Sequence, residues 1–186
     1  MSSHHIVRDN QEPALWVRQA HATDFGLIED LLEWSPFVIV DASEVDVFVS
    51  RGIKVDAIVT KDALTDPIER LLKDQWPVAV IHHHDPATAV FQFLQKRKQQ
   101  AINMVAKAAP LFHVLEKSPL QTITVLDGTT RWSLIRRGHF EKYLPSGTSL
   151  KVFVEGAIHT LQSTNQRVRL SYPVPFWVGE ELFREM

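Results

Sequence analysis

The first half of the chain alternates short apolar runs with segments of helical periodicity. From Ala14 to about Ala106, the apolar runs are ALWVR, FVIV, AIVT, VAVI and AINMVA, and the segments between them are FGLIEDLLEW, SEVDVFVS, PIERLLK and PATAVFQFLQKRK. Buried parallel strands are continuous apolar runs, and helices usually connect them. The pattern therefore predicts an α/β fold with a mostly parallel, Rossmann-like sheet flanked by helices.

The pattern changes after the helical segment PLFHVLEK. The later runs QTITVLD, RWSLIRR, SLKVFVE, AIHTLQ, RVRLSYPV and ELFREM are strand-like and are separated by Gly, Ser, Asn and Pro, which are turn-forming residues. We expect QTITVLD to be the last strand of the sheet and the remainder to form a small antiparallel β-sandwich or roll. The predicted domains are residues 1–130, which are α/β, and residues 131–186, which are rich in β-structure.

Several helix boundaries can be predicted from capping residues. Asp66-Pro67 and Asp85-Pro86 each place an acidic cap before a proline at the first helical position. Ser43 is expected to cap the helix that follows the run FVIV, and Gly52 is expected to end that helix.

Composition excludes several classes of protein. The 186 residues carry 20 Lys and Arg against 22 Asp and Glu, a formal charge of -2, so nothing favours a nucleic acid or an anionic membrane as partner. Cysteine is absent, which excludes disulfides and thiolate chemistry. No apolar run approaches the roughly 20 residues of a membrane span, and the polar start lacks the apolar core of a signal peptide. We expect a cytoplasmic protein.

Polar residues follow two neighbouring strands of the predicted sheet. The run FVIV ends at Asp41, two residues before Ser43, and the run AIVT ends at Thr60, followed by Lys61 and Asp62. Ligands of parallel sheets bind beyond the carboxyl ends of the strands. Asp41, Ser43, Thr60 and Lys61 are therefore candidate cofactor-binding residues, although Asp41 can equally serve turn geometry and Lys61 can equally be a solvated loop residue.

A run of three histidines follows the strand VAVI. Because alternate strand residues face the same side, His82 and His84 are candidates to share a metal, together with Asp85. The spacing matches no known closed zinc site, and the alternative, polar loop residues without a metal, is favoured. For Asp85 itself, a helix cap before Pro86 is favoured over a metal ligand.

Other common catalytic motifs are missing from the sequence. There is no G-x-S-x-G string for a serine hydrolase. Neither G-x-G-x-x-G nor G-x-x-x-x-G-K-[ST] occurs, which disfavours a dinucleotide-dependent oxidoreductase or a P-loop kinase.

Several strings in the chain resemble thiamine pyrophosphokinases, especially the form found in Bacteroidetes bacteria. They are HHIVRDNQEPAL, LLEWSPFVIVD, GIKVDAIV, HDPATAVFQFL, AINMV, FEKYLPSGTSL and LSYPV, and they occur in the order of that family along nearly the whole chain. The resemblance implies a nucleotide-binding α/β domain, a β-rich domain for thiamine binding and dimerisation, and a homodimer. It also implies transfer of a pyrophosphoryl group from ATP to thiamine with Mg²⁺.

The chain departs from that family where the chemistry resides. A Gly-Asp-x-Asp-Ser motif of the family corresponds to Thr60-Lys61-Asp62-Ala63-Leu64, so that Asp41, Asp62 and Asp85 are the remaining candidates for catalysis and for metal binding. The family's Asp-His-Thr string corresponds to residues 98–101, and the Ser-Asn thiamine-binding segment after LSYPV has no counterpart. The charge reversal suggests that Lys61 occupies the place of Mg²⁺ and pairs with Asp41 or Asp85.

The resemblance and its departures together lead to three hypotheses. The first is a divergent thiamine pyrophosphokinase-like protein with weak or no activity, which would use Mg²⁺ and ATP if the activity survives. The second is a non-catalytic protein that binds a thiamine compound, a nucleotide or another small ligand, and the third is a purely structural partner.

The aromatic residues of the last third are expected in the β-rich core or in a dimer interface. They are Trp132, Phe140, Tyr143, Tyr172, Phe176 and Trp177.

Overall fold

The computed structural model of the chain describes residues 12–73 and 77–182. Within these ranges the strands are β1 (Ala14–Val17), β2 (Val38–Asp41), β3 (Ala57–Thr60), β4 (Ala79–His82), β5 (Ala101–Val105), β6 (Thr122–Asp127), β7 (Thr130–Ile135), β8 (His139–Leu144), β9 (Ser149–Val154), β10 (Ala157–Gln162), β11 (Gln166–Ser171) and β12 (Phe176–Glu181). The α-helices are α1 (Phe25–Leu32), α2 (Val45–Ser50), α3 (Asp66–Leu72), α4 (Pro86–Lys96) and α5 (Phe112–Glu116).

The predicted α/β fold with a mostly parallel sheet is confirmed. Ten strands form one sheet in the order β10-β9-β12-β7-β6-β5-β1-β2-β3-β4, and the segment from β6 to β4 is parallel. Strands β2, β3 and β4 add to one side of β1, whereas β5 and β6 add to its other side. The direction of winding therefore reverses at β1, and the carboxyl ends of β1, β2 and β5 meet beside this reversal.

Helices cover both faces of the parallel strands. On one face, α4 and α5 pack through Val90, Leu94 and Phe112 on the inward side chains of the sheet. On the other face, α1 and α2 contribute Ile28 and Phe48 to a second buried cluster. Burial on both sides explains why β1, β2 and β3 are continuous apolar runs in the sequence.

The expectation that QTITVLD is the last strand of the sheet is wrong. This segment, β6, is the last parallel strand, but the sheet continues through β7, β12, β9 and β10, which are antiparallel. A two-residue loop makes this possible, because Gly128 has a φ of 61° and returns the chain directly beside β6. A parallel sheet can therefore continue as an antiparallel one without a break.

The remaining strands, β8 and β11, form a separate two-stranded sheet that lies over the antiparallel part. Phe140, Val168 and Leu170 from this pair pack against a cluster that includes Leu150 and Val178 of β9 and β12. Two layers of antiparallel strands thus form the predicted β-rich part. The expected strand ELFREM lies largely outside the described residues, and the strand before it is β12, with the sequence FWVGEE.

Two predicted helix caps differ from the structure. Helix α3 begins at Asp66 with Thr65 as its N-cap, so Asp66 does not cap it, and no cap bond is made by the side chain of Thr65. Ser43 lies inside a 3-10 turn, Ala42–Glu44, and Glu44 precedes α2 without a side-chain cap bond. A tight turn between β2 and α2 leaves no room for the extended cap conformation at Ser43.

Two other caps are confirmed. Gly52 has a φ of 69° and ends α2, since the Gly52 N–H donates to the carbonyl of Val49 and the Ile53 N–H donates to the carbonyl of Phe48. These are the two bonds of a Schellman motif, which requires a left-handed residue. The side chain of Asp85 accepts from the Thr88 N–H at the start of α4.

The aromatic residues of the last third mainly build core. Trp132, Phe176 and Trp177 are buried, and Phe140 and Tyr172 pack against the β-rich cluster. Tyr143 is 55% exposed, however, and its hydroxyl donates to Asn165. None of the described helices is both long enough and apolar enough to cross a bilayer.

Candidate functional site

A cavity of about 460 Å³ opens where the carboxyl ends of β1, β2 and β5 meet. This is the switch point of the parallel sheet, the usual ligand position in such folds, and the volume suits a small molecule. We call it the switch-point cavity. Its lining residues are Arg18, Gln19, His21, Asp41, Ser43, Glu44, Ala106, Lys107, Pro110 and Leu111.

Asp41, at the end of β2, is engaged on both of its carboxylate oxygens. The indole Nε1 of Trp16 donates a hydrogen bond of 2.8 Å to Oδ1. Arg18 Nε lies 3.5 Å from Oδ2, a distance that makes this contact an ion pair rather than a well-formed hydrogen bond. Both partners come from β1 and the residue after it, because β1 and β2 are adjacent in the sheet.

Burial governs the ionisation of Asp41. Removal from water raises the pKa of the Asp41 carboxyl above its usual value, although the Trp16 hydrogen bond and the positive charge of Arg18 act in the opposite direction. The carboxylate is therefore costly to keep charged in this position. The guanidinium of Arg18 is the principal charge that compensates for it.

Arg18 is itself held on two sides. Its guanidinium carbon lies 5.2 Å from the centre of the Trp16 ring, within the range of a cation–π contact. Its Nε atom is buried without a hydrogen bond in the described part of the chain, and 26% of the side chain is exposed. Trp16, Arg18 and Asp41 thus form a packed triad at the cavity wall.

The candidate Ser43 and its neighbour Glu44, in the turn after β2, also contact other groups of the protein. Glu44 Oε2 accepts a 3.0 Å hydrogen bond from the Ala20 N–H, which ties the turn after β2 to the turn after β1. The Ser43 hydroxyl is 3.5 Å from Glu44 Oε1, and Ser43 is exposed. Asp41 and Ser43 are therefore brought to one cavity, as expected for two candidates at the end of one strand.

The opposite wall of the cavity follows β5. Lys107 Nζ donates to Asp127 Oδ1 over 3.0 Å, and the other oxygen of Asp127 accepts from the Ala108 N–H at 2.9 Å. The Lys107 N–H donates to the side-chain oxygen of Gln19 at 3.3 Å. Asp127 at the end of β6 thus fixes the segment that carries Lys107.

The candidates after β3 lie in a loop that closes on itself. The Thr60 hydroxyl donates to the Asp62 carbonyl at 2.6 Å, and the Asp62 N–H donates back to the same hydroxyl at 3.2 Å. Lys61 and Asp62 are exposed, and within the described residues Lys61 makes no ion pair. The predicted pairing of Lys61 with Asp41 or Asp85 is wrong: the Asp41 carboxylate pairs with Arg18, and the Asp85 carboxylate accepts from Thr88.

The histidine run and Asp85 belong to another part of the molecule. His82 and His84 are exposed, and the ring of His84 stacks on His83 with 4.3 Å between ring centres. The Asp85 N–H donates to His83 Nδ1 at 2.9 Å. Hydrogen bonds from Thr88 at the start of α4 lower the pKa of Asp85. Asp85 lines a second cavity, of about 490 Å³, between α4 and α5.

The donor set of the switch-point cavity does not fit the Mg²⁺ that the family resemblance implies. Mg²⁺ prefers free, hard oxygen ligands in octahedral geometry. Here, Asp41 faces a guanidinium and an indole N–H, and Glu44 accepts from the main chain. Nor are Asp41, Asp62 and Asp85 gathered into one metal-ligating group in the ranges that the structure describes. Their roles in metal binding and catalysis stay predictions.

Sequence reasoning missed Arg18 and Lys107 in the cavity lining and Trp16, which packs behind Arg18. Arg18 and Trp16 stand in the apolar run ALWVR, and Lys107 follows AINMVA. Their positions just before or after strand ends were the available signal, because charged residues after parallel strands lie at the ligand edge. The pairing of β1 with both β2 and β5, which brings them together, is a long-range feature.

The sequence matches no known family profile and no characterised protein. Solved structures do match in fold. Thiamine pyrophosphokinase from Bacillus subtilis superposes with a TM-score of 0.63 at 10% identity, over 92% of this chain and 100% of that one. A probable thiamine pyrophosphokinase from Staphylococcus saprophyticus gives 0.56 at 13% identity, over 92% and 99%. Thiamin pyrophosphokinase from Candida albicans gives 0.52 at 10% identity, over 92% and 90%.

These comparisons define the class of protein by its fold. The chain is an α/β protein with a β-rich extension in which the parallel sheet passes into antiparallel strands. Its fold is that of the thiamine pyrophosphokinases, as the sequence strings predicted. At identities of 10 to 13% the likeness concerns the fold, and function depends on the residues of the cavity.

Proposed function

We propose that the chain is a divergent thiamine pyrophosphokinase-like protein with weak or no pyrophosphoryl transfer activity. The observation that supports this proposal is the state of Asp41, whose two oxygens are engaged by Trp16 and Arg18. Phosphoryl transfer depends on positioning and on metal ions that neutralise the phosphates. A carboxylate already paired with a guanidinium contributes little to holding such a metal.

The direct test is ATP-dependent formation of thiamine diphosphate. The purified chain is incubated with thiamine, ATP and Mg²⁺, with the Bacillus subtilis enzyme as positive control, and the product is quantified by chromatography. Losing several kcal/mol of transition-state stabilisation by the metal should lower the turnover number at least about 10³-fold relative to the control enzyme. A turnover within tenfold of the control enzyme would refute the proposal.

A second candidate function is binding of a small ligand without turnover. It is favoured by the cavity of about 460 Å³ at the switch point, which carries charges of both signs from Arg18, Lys107, Asp41 and Glu44. Thermal-shift measurements with thiamine, its phosphates and ATP, each with and without Mg²⁺, test this candidate. A reproducible rise in melting temperature with one of these compounds supports it, and no rise with any leaves the structural-partner hypothesis.

We also propose that the chain forms a homodimer through its β-rich part. Strand β10 is the last strand at one edge of the sheet, and all six of its residues are exposed, with Ile158 50% and Leu161 36% exposed. Unpaired edge strands are ready to pair with another chain. Sedimentation velocity at micromolar concentration should show a dimer that Ile158→Asp weakens, and a monomeric wild type would contradict this assignment.

A further inference from the structure

Arg18 has hydrogen-bonding capacity that the protein does not use. A guanidinium carries five N–H donors in a planar fork. In the described part of the chain, the contacts of Arg18 are the ion pair of Nε with Asp41 and the contact with the Trp16 ring, and Nε makes no hydrogen bond. The two terminal nitrogens of Arg18 are therefore available on a wall of the switch-point cavity.

The guanidinium is also held in place before any ligand arrives. The Trp16 ring beneath it is fully buried, and the Trp16 indole is hydrogen-bonded to the same Asp41 that attracts Arg18. A fixed guanidinium loses less rotamer entropy on binding than a free side chain does, and its fork matches carboxylate and phosphate oxygens. Arg18 is thus preorganised for an oxyanion.

Several other donors around the cavity are already engaged within the protein. The Ala20 N–H donates to Glu44, the Lys107 N–H donates to Gln19, and Lys107 Nζ donates to Asp127. An anionic group that enters the cavity would meet in Arg18 a cation whose terminal nitrogens have no partner among the described residues.

We propose that Arg18 takes the place of a divalent cation in the switch-point cavity. Its Nε side neutralises Asp41, and its terminal nitrogens bind an oxyanion of the ligand, either a phosphate or a carboxylate, so that binding requires no metal. The inference rests on the proposed function in that both assign the ligand to this cavity. It does not depend on whether turnover occurs.

Substitution of Asp41 separates this arrangement from metal-mediated binding. In Asp41→Asn the side-chain oxygen can still accept from Trp16, so the indole that supports Arg18 stays in place, while the negative charge that competes with the ligand for Arg18 is lost. The affinity for an anion should then be equal or higher. If a metal held by Asp41 bridged to the anion, the same substitution would abolish binding.

The experiment is isothermal titration of the full chain in EDTA, with inorganic pyrophosphate in one arm and malonate in the other. We expect wild type to bind at least one of the two anions in EDTA with an affinity that added Mg²⁺ does not increase. A charge-assisted hydrogen bond contributes enough that Arg18→Gln should weaken binding about tenfold to a hundredfold. The anion that binds more tightly, pyrophosphate or malonate, shows whether the site prefers a phosphate or a carboxylate.

Arg169→Gln is the matched control, because Arg169 also pairs through Nε with a carboxylate, that of Glu141, but lies on β11 away from the cavity. It should bind like wild type.

If Arg18→Gln is poorly folded, the Asp41→Asn variant still tests the proposal, since the metal-mediated alternative predicts the opposite result. The proposal is overturned if neither anion binds in EDTA, if a folded Arg18→Gln binds like wild type, or if Asp41→Asn abolishes binding. Thiamine diphosphate formation is measured separately, so the two proposals can fail independently.

Discussion

At the scale of single residues, Asp41 carries most of the argument about function, because Trp16 and Arg18 engage both oxygens of a carboxylate that could otherwise bind a metal. The sequence placed it correctly at the end of β2, because an apolar run that stops at an acidic residue marks a strand end. Its partners could not be predicted, since Trp16 is 25 positions away and contacts Asp41 only through the pairing of β1 with β2. Lys61 was suggested by the charge reversal relative to the family motif. Strands β1 and β3 both pair with β2, but the cation beside Asp41 is Arg18 after β1, and Lys61 after β3 is exposed.

The raised pKa of Asp41 has a consequence for stability as a function of pH. Because the folded pKa is above the unfolded value near 3.8, the folded state binds this proton more tightly, and ionisation costs stability. That cost is absent below the unfolded pKa and complete above the folded pKa. We therefore expect Asp41→Asn to gain stability relative to wild type as pH rises from about 3.8 through the folded pKa of Asp41. Urea denaturation across this range measures the difference, and a difference that shrinks as pH rises would contradict the assignment.

At the scale of elements, two helix starts with the same Asp-Pro sequence behave differently. Asp85 caps α4 through hydrogen bonds with Thr88, whereas Asp66 is the first residue of α3 and Thr65 precedes it as N-cap. Local sequence indicates that a helix begins near such a pair. It does not determine the boundary to a single residue, because the cap depends on the backbone conformation of the preceding loop.

This pair provides its own matched control. Asp85→Ala should lower the free energy of unfolding by about 1 kcal/mol, since a cap bond is lost. Asp66→Ala should cost about 0.5 kcal/mol or less, because only a favourable charge near the helix start is removed. Chemical denaturation of both variants checks the contrast. Equal losses would show that Asp85 has no special capping role.

A second element-scale feature is the pairing of Gly179 in β12 with Trp132 in β7. A Cβ atom at Gly179 would lie 2.9 Å from the Trp132 ring, so the indole covers the bare backbone of the neighbouring strand. Gly179→Ala should therefore destabilise the protein by about 1 to 3 kcal/mol, as overpacking of a core does. In a double-mutant cycle measured by urea denaturation, Trp132→Leu should remove most of that cost. Additive losses would argue against a steric origin.

For the whole molecule, the sequence predicted the fold class, but it did not show that the sheet continues past residue 130. The apolar pattern distinguishes buried parallel strands from antiparallel ones, and it carries no information on whether both belong to one sheet. The structure joins them through β6 and β7, and Phe112 contacts Trp132, Phe153 and Trp177 within a shared core. That residues 1–130 and 131–186 fold as two separate domains therefore stays a prediction.

The continuous sheet and shared core predict cooperative unfolding. With 5-fluorotryptophan incorporated, the folded-state ¹⁹F signals of Trp16 in β1 and Trp177 in β12 should disappear at the same urea concentration. Trp34, which is 67% exposed, serves as a reference for a side chain outside the core. Two well-separated midpoints would show that residues 1–130 and 131–186 unfold as independent domains.

The most direct test of the central claim follows the Asp41 carboxyl itself during a titration with Mg²⁺. Its side-chain ¹³C resonance is assigned from the spectrum of Asp41→Asn and is then recorded as Mg²⁺ is added in excess over the protein, because a carboxylate oxygen is a ligand that Mg²⁺ prefers. With Arg18 as the resident partner of Asp41, the resonance should stay in place. A saturable shift of the Asp41 signal would show that a metal binds there and would contradict the claim that a guanidinium holds the position.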